Sequence, residues 1–412
     1  MKTKAVRLYG ENDIRLETFD LRPLKDGEIL IRVVSDSVCM STYKTVKQGE
    51  AHIRVPAGIA ENPVIIGHEF CGEVVEISEK WKDRFRVGDK VICPPVLSYL
   101  GGMDTIGYSF GEIGGVATYC IVYEHIIAHD HLIKVDSDAF FGGSLIEPAS
   151  CVIRGYKGSL HLDENLLPVS GIKPGGNLAI LAGCGPMGLA AIDIALHGDA
   201  RPALVVVTDL DGERLARAAA LFPPEEAAKD GIALIFKNTS DKEALLEITQ
   251  NKGFDDVFVY APVPAVVELA DAILAFDGCL NFFAGPVDKK FSACFNFYNV
   301  YYAQHHVSGT SGSTLEDMQD IVRLIGQNKL RPAVMITHIG GMDAVIDTTL
   351  PLPEIGGGKK LIYTHISLPL TAISDFAALG KTDSRFSVLD EIVTKNNGLW
   401  CKEAEEFLLA NF

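Results

Sequence analysis

No two cysteines of this chain stand at a short paired spacing, although it has nine of them, which argues against a disulfide framework. Basic blocks and basic–aromatic interleaving are missing too. With 54 acidic against 37 basic side chains the formal net charge is −17, so no nucleic-acid partner is expected. An anionic substrate would have to be held by locally placed Lys, Arg or backbone N–H groups. The start, Met1-Lys2-Thr3-Lys4-Ala5-Val6-Arg7-Leu8, soon meets charge and has no apolar signal core. The most apolar long run, 177–196, contains a glycine-rich turn and reads as a buried strand–turn–helix rather than a membrane span. Repeats and low-complexity stretches are absent. The expectation is a protein of the reducing cytoplasm, without nucleic-acid or membrane partners.

What is present is ordinary for a globular enzyme: 412 residues, 48% apolar and 22% charged, enough for two domains with separate cores. The first 150 or so residues read mainly as β, with short apolar runs at 28–34, 72–77 and 90–92 between turn residues. After Gly175-Gly176 strands and helices alternate: strands at 178–182, 203–208, 232–236, 257–260 and 279–283, helices at 187–196, 212–221 and 263–274. That alternation predicts an α/β class, a doubly wound parallel sheet. A helix at 315–327 leads to the run 334–338 and to a strand over Lys359–Tyr363. The tail reads as helical, with Phe376, Leu379, Phe386, Leu389 and Ile392 near helical spacing.

Gly183-Cys184-Gly185-Pro186-Met187-Gly188 follows the strand at 178–182 and opens a helix. In such a turn the first glycine permits the tight bend, the second admits a pyrophosphate to the backbone, and the third lets helix and strand pack closely. Asp209, at the end of the next strand, is placed to bind the adenosine ribose hydroxyls and to repel a 2′-phosphate. NAD is therefore preferred, with NADP as the alternative. Arg214, which could soften that discrimination, reads as an exposed charge on the next helix.

Cys39, His68, Glu69 and Glu147 supply a thiolate, an imidazole and two carboxylates, a donor set suited to a catalytic zinc. Singly each has a plainer reading: a buried apolar cysteine, a structural His-Glu pair, a carboxylate capping a helix. In order, however, Cys39-Met40-Ser41, Gly67-His68-Glu69-Phe70-Cys71-Gly72-Glu73, Val87-Gly88-Asp89-Lys90-Val91, Glu147-Pro148 and the Gly183–Gly188 turn resemble the zinc-containing medium-chain alcohol and polyol dehydrogenases. Tyr108-Ser109-Phe110, the stretch Ile146-Glu147-Pro148-Ala149-Ser150-Cys151 and Gly185-Pro186-Met187-Gly188-Leu189 are most similar to the L-sorbose 1-phosphate reductase-like branch. The resemblance covers roughly residues 1–365. It implies a mainly β GroES-like catalytic domain over 1–160, completed by 311–412, and a Rossmann domain over 161–310.

It also implies zinc held by Cys39, His68 and carboxylate, with Glu69 and Glu147 exchanging or bridging through water, and a proton relay through Ser41. Two departures stand out. Of the cysteines that bind a second, structural zinc in the family, only Cys93 and Cys120 remain, and Tyr99-Leu100-Gly101-Gly102 and Tyr108-Ser109-Phe110-Gly111 fill the region, so one zinc per chain is expected. Where the family places Asp and His after the serine, this chain has Thr42 and Lys44.

The expected reaction is hydride transfer between NAD(P) and a sugar or polyol phosphate, such as L-sorbose 1-phosphate and D-glucitol 6-phosphate, by a homodimer or homotetramer. Lys44, Lys47, His52 and Arg54, or Arg154 and Lys157, are candidates to hold the phosphate. The alternatives are a dehydrogenase of unphosphorylated polyols or secondary alcohols and, more remotely, a catalytically silent NAD-binding sensor. His305-His306 has no third ligand at metal spacing, and Thr337-His338 reads as packing.

Overall fold

Every residue except Gly102 is described by the computed structural model; of the Gly101-Gly102 pair, Gly102 thus lies outside the described residues. The chain forms two compact units, one of Met1–Glu147, Thr314–Val322 and Ile336–Phe412, the other of Pro148–Ser313 and Arg323–Met335. The first boundary falls at Glu147–Pro148, within the helix Ile146–Lys157, rather than near 160.

The first unit is built on Ile29–Val38. Nine of its ten residues are buried, because it lies inside an eight-stranded sheet and both of its faces are covered. Residues 29, 31 and 33 point into one core with Phe70, Val74, Trp81 and Val91. Leu30, one step out of phase, packs on Leu21 and Ile121 instead. One edge of the strand pairs with Phe70–Ile77. The other is shared by Tyr119–Val122 along its first half and Lys359–Tyr363 along its second. All three pairings are antiparallel, with Asp36 opposite Phe70 and Val38 opposite Lys360. The exit of Ile29–Val38 and the entries of the strands Phe70–Ile77 and Lys359–Tyr363 therefore meet at one end of the sheet.

The tail belongs to this unit, as the helices Ser384–Lys395 and Lys402–Asn411. Phe376, Phe386 and Leu389 are buried as their spacing suggests, but Val393 rather than Ile392 enters the core.

The second unit is a six-stranded parallel sheet in the order Ala233–Lys237, Leu204–Thr208, Asn177–Leu181, Phe254–Val259, Leu274–Phe282, His306–Ser308. The order in which successive strands are added reverses between Asn177–Leu181 and Phe254–Val259, which pair parallel, the switch point at which such sheets bind ligands. Two strands start earlier than their apolar runs suggest, at Phe254 and Leu274, and the pairing between them carries a register shift. The edge strand His306–Ser308 was not expected; three residues with one apolar member give no periodic signal. Among the described residues no helix is long and apolar enough to cross a membrane.

Candidate metal centre and nucleotide turn

Cys39 directly follows the strand Ile29–Val38 and stands at the N-cap of the helix Met40–Gln48. His68 and Glu69 directly precede the strand Phe70–Ile77, and the Ser37 N–H donates to the Glu69 carbonyl at 2.9 Å. The antiparallel register thus brings together residues far apart in sequence. One donor atom each from Cys39, His68 and Glu69 lies within 4.8 Å of the others. Ser41 Oγ donates to Cys39 Sγ at 2.9 Å and lies 3.2 Å from His68 Nε2. Thr42, standing where the family has Asp, reaches His68 Nδ1 at 3.4 Å, so a weak hydroxyl contact replaces a carboxylate. Glu147 is buried in the first turn of its helix, and its charge acts on Cys39, Asp36, Tyr108 and Lys359.

Burial dominates the electrostatics. It lowers His68 to about 4, which keeps the imidazole neutral and able to ligate. Burial, then the Glu69 charge, raises the Cys39 thiol to about 12. A thiol and two carboxylates crowded out of water favour a cation that offsets their charge. Thiolate, neutral imidazole and carboxylate oxygen are the ligand types of catalytic zinc, so the residues fit that ion.

Lys359, Asp36 and Tyr108 had not been singled out as site residues. Lys359 opens its strand and places Nζ 2.6 Å from both oxygens of Glu69, whose side chain is 1% exposed. Desolvation opposes the ammonium, but the Glu69 charge overcomes it and raises the Lys359 pKa. The only sequence signal was a lysine opening the strand expected over Lys359–Tyr363, every position of which the structure buries. Asp36 is buried, its Oδ1 has no hydrogen-bond partner, and desolvation followed by Glu69 pushes its pKa well up. Tyr108 packs its ring 5.2 Å from that of His68.

In the second unit, Gly183–Gly188 joins the strand Asn177–Leu181 to the helix Pro186–His197, with Gly185 at its N-cap and Pro186 and Met187 in its first turn. A Cβ on Gly188 would lie 2.1 Å from the Gly183 carbonyl oxygen, whereas one on Gly185 would meet nothing within 4 Å. One glycine therefore serves close packing and the other leaves backbone open to a ligand, a cradle that fits a pyrophosphate. Asp209 accepts from the backbone N–H groups of Cys184 at 3.1 Å and Asp211 at 3.0 Å, which ties it to this turn. Arg214 is paired with Asp211 at 3.3 Å.

The other predicted residues divide. His52 and Arg54 flank Tyr108, Lys47 lies over Tyr43, and Lys44 shares their helix. Arg154 and Lys157 occupy the last turn of Ile146–Lys157. His305 and His306 are tied to Asp271 and Asp277 at 3.3 and 2.8 Å, a structural use. Thr337 Oγ1 accepts from the Gly358 N–H at 2.7 Å and contacts its neighbour His338. Cys93 and Cys120 belong to the hydrophobic core.

Residues 25–132 match the model of the alcohol dehydrogenase GroES-like domain, and residues 186–327 that of the zinc-binding dehydrogenases. The chain is 46% identical to mannitol-1-phosphate 5-dehydrogenase of Aliivibrio fischeri, over 99% of this chain and 97% of that protein. It is 44% identical to L-sorbose 1-phosphate reductase of Klebsiella pneumoniae, over 99% and 98% respectively. In fold it is similar to the crystal structure of 2R,3R-butanediol dehydrogenase from Bacillus subtilis, with a TM-score of 0.71 and 23% identity over 88% of this chain and all of that one.

Proposed function

The chain belongs to the zinc-binding alcohol and polyol dehydrogenases, and from that premise we propose that it interconverts a ketose phosphate and a hexitol phosphate with NAD(H). The observation that carries this reading is the near-full-length identity of 44–46% to two proteins named for phosphorylated substrates, L-sorbose 1-phosphate and mannitol 1-phosphate.

Cys39 and His68 would hold the zinc, with Glu69 and Glu147 supplying carboxylate. Bound there, zinc would supply a Lewis acid for the oxygen of the substrate carbon that is oxidised or reduced. The Gly183–Gly188 turn and Asp209 would hold NAD(H), which would supply or accept the hydride. Ser41, whose Oγ lies 2.9 Å from Cys39 Sγ and 3.2 Å from His68 Nε2, is the group that moves the proton. Lys359 holds Glu69 in one orientation and offsets its charge while the carboxylate is buried. Nine free cysteines support a reducing compartment, the cytoplasm, and the family resemblance supports a homodimer or homotetramer.

The test is a panel of L-sorbose 1-phosphate, D-mannitol 1-phosphate, D-glucitol 6-phosphate and the free sugars and polyols, assayed with NAD(H) and NADP(H) beside a zinc count. Phosphorylated substrates should lead, with one zinc per chain. Cys39→Ala and His68→Ala should lose both metal and turnover. A zinc-free variant that kept its turnover, or equal rates on free and phosphorylated polyols, would sink the reading.

A further inference from the structure

Most arginines of the first unit are paired with acid groups, as an acidic chain allows: Arg7 with Glu17, Arg22 with Glu28, Arg32 with Glu73, Arg84 with Asp130, while Arg86 is exposed. Arg54 is different. It is half-buried, yet among the described residues its guanidinium has neither a carboxylate nor a hydrogen-bond acceptor. Its recorded side-chain contact is the face of Tyr108, with Cζ 5.8 Å from the ring centroid. In a protein with 54 acidic side chains, a partly desolvated cation that none of them reaches is suited to an anion from outside the chain.

Three features fix where that cation points. Tyr108 is buried, and its ring stacks on His52 at 5.5 Å and lies 5.2 Å from the His68 ring. Arg54 is therefore separated from a candidate zinc ligand by a single aromatic ring. Its backbone is pinned: Ser109 Oγ donates to the Arg54 carbonyl at 2.8 Å and accepts from the Thr105 N–H at 3.0 Å. The Arg54 N–H in turn donates to His52 Nδ1 at 3.3 Å. That bond makes Nδ1 an acceptor and puts the imidazole proton on Nε2, which leaves a second donor on the Tyr108 ring that Arg54 also contacts. Burial and the Arg54 charge lower the His52 pKa, so the ring is a neutral donor at pH 7.

We infer that the Arg54 guanidinium and the His52 Nε2–H hold the phosphate of the substrate, with Tyr108 as the wall that sets their position relative to Cys39, His68 and Glu69. The inference rests on the phosphorylated-substrate reading above and names the residues that carry it. Of the basic cluster seen in the sequence, the two residues on the Tyr108 ring are selected. A guanidinium fork suits a phosphate dianion better than a hydroxyl, so Arg54 separates a hexitol phosphate from the free hexitol.

The experiment compares wild type, Arg54→Gln, Arg54→Lys and His52→Gln. Each is assayed with D-mannitol 1-phosphate and D-mannitol, and with NAD and NADP, and each is checked for zinc content and thermal unfolding. Two charge-assisted hydrogen bonds are lost in Arg54→Gln, so the ratio of kcat/KM for phosphorylated over free substrate should fall on the order of 100-fold, mostly through KM. Arg54→Lys keeps the charge without the fork and should lose about tenfold. Calorimetric titration with D-mannitol 1-phosphate should show the same order of weakening without turnover. If wild type prefers the phosphate and Arg54→Gln keeps that preference with its zinc intact, the inference is overturned and the function stands. If the loss follows NADP instead, Arg54 reads the cofactor's phosphate and the inference fails. If wild type has no preference for the phosphate, the function falls and the inference with it.

Discussion

Removing the Glu405 carboxylate should loosen the first unit from its far end. Glu405 lies on the last helix and is 2% exposed. Its Oε2 accepts from the Phe140 N–H at 2.6 Å, and its Oε1 from the Phe141 N–H at 2.8 Å and the Tyr363 hydroxyl at 2.9 Å. The Tyr363 oxygen itself accepts from Trp400 Nε1 at 2.7 Å. Glu405 thereby caps the helix Phe140–Ser144, whose N-cap Ala139 provides no side-chain oxygen, and it buttresses the strand whose first residue is Lys359. Glu405→Ala strands three buried donors at about 1–3 kcal/mol each. Allowing for water entering the gap, a loss of about 4 kcal/mol is expected, or roughly 10 °C in Tm for a domain of this size. Glu405→Gln keeps one acceptor oxygen but turns an N–H₂ toward a donor, and should lose about half as much.

The pH dependence has a definite sign. Burial raises the Glu405 pKa, and its hydrogen bonds only partly counter this. The folded chain therefore binds more protons than the unfolded chain between the two pKa values. The stability contribution is complete below the unfolded value, about 4.3, and declines as pH rises through the folded one. Urea unfolding of wild type, Glu405→Ala and Glu405→Gln across that range, with zinc retention measured on the same samples, checks both points. An alanine variant within about 1 kcal/mol of wild type, or an unchanged pH slope in Glu405→Gln, would refute the reasoning.

The two open questions at the nucleotide turn separate cleanly. Gly185→Ala should fold with near-normal stability yet bind NADH at least about tenfold more weakly, whereas Gly188→Ala should cost about 1–3 kcal/mol by pushing helix from strand; fluorescence titration and thermal unfolding tell them apart. Asp209→Asn should raise the NADP/NAD ratio of kcat/KM by about tenfold through lost repulsion; an unchanged ratio in steady-state assays would place discrimination elsewhere. Lys359→Met leaves the Glu69 carboxylate buried without its ammonium and should destabilise by about 3–5 kcal/mol. Adding Glu69→Gln should recover much of that in a double-mutant cycle by chemical denaturation, and no recovery would mean the pair is not coupled.

Local chemistry was legible in the sequence wherever the residues that make a feature are contiguous. The turn Gly183–Gly188, its strand and its helix occupy one short stretch, so apolar runs and glycine spacing were enough to read the doubly wound unit. Cys39, His68 and Glu69 were nameable from their donor chemistry and from the family motifs that surround them. Pairing across the sheet was decided only in three dimensions. Glu69 and Lys359 are 290 residues apart and meet because two strands flank Ile29–Val38 in a fixed register. Tyr108, Asp36 and the Glu405 cap likewise carry no periodic signal. They became visible when packing showed which polar groups had lost water and which partners, if any, had replaced it. The sequence determined the kinds of donor this protein has; the register of its strands determined which of them share a site, because a buried charge is held only by what the fold brings within hydrogen-bond reach.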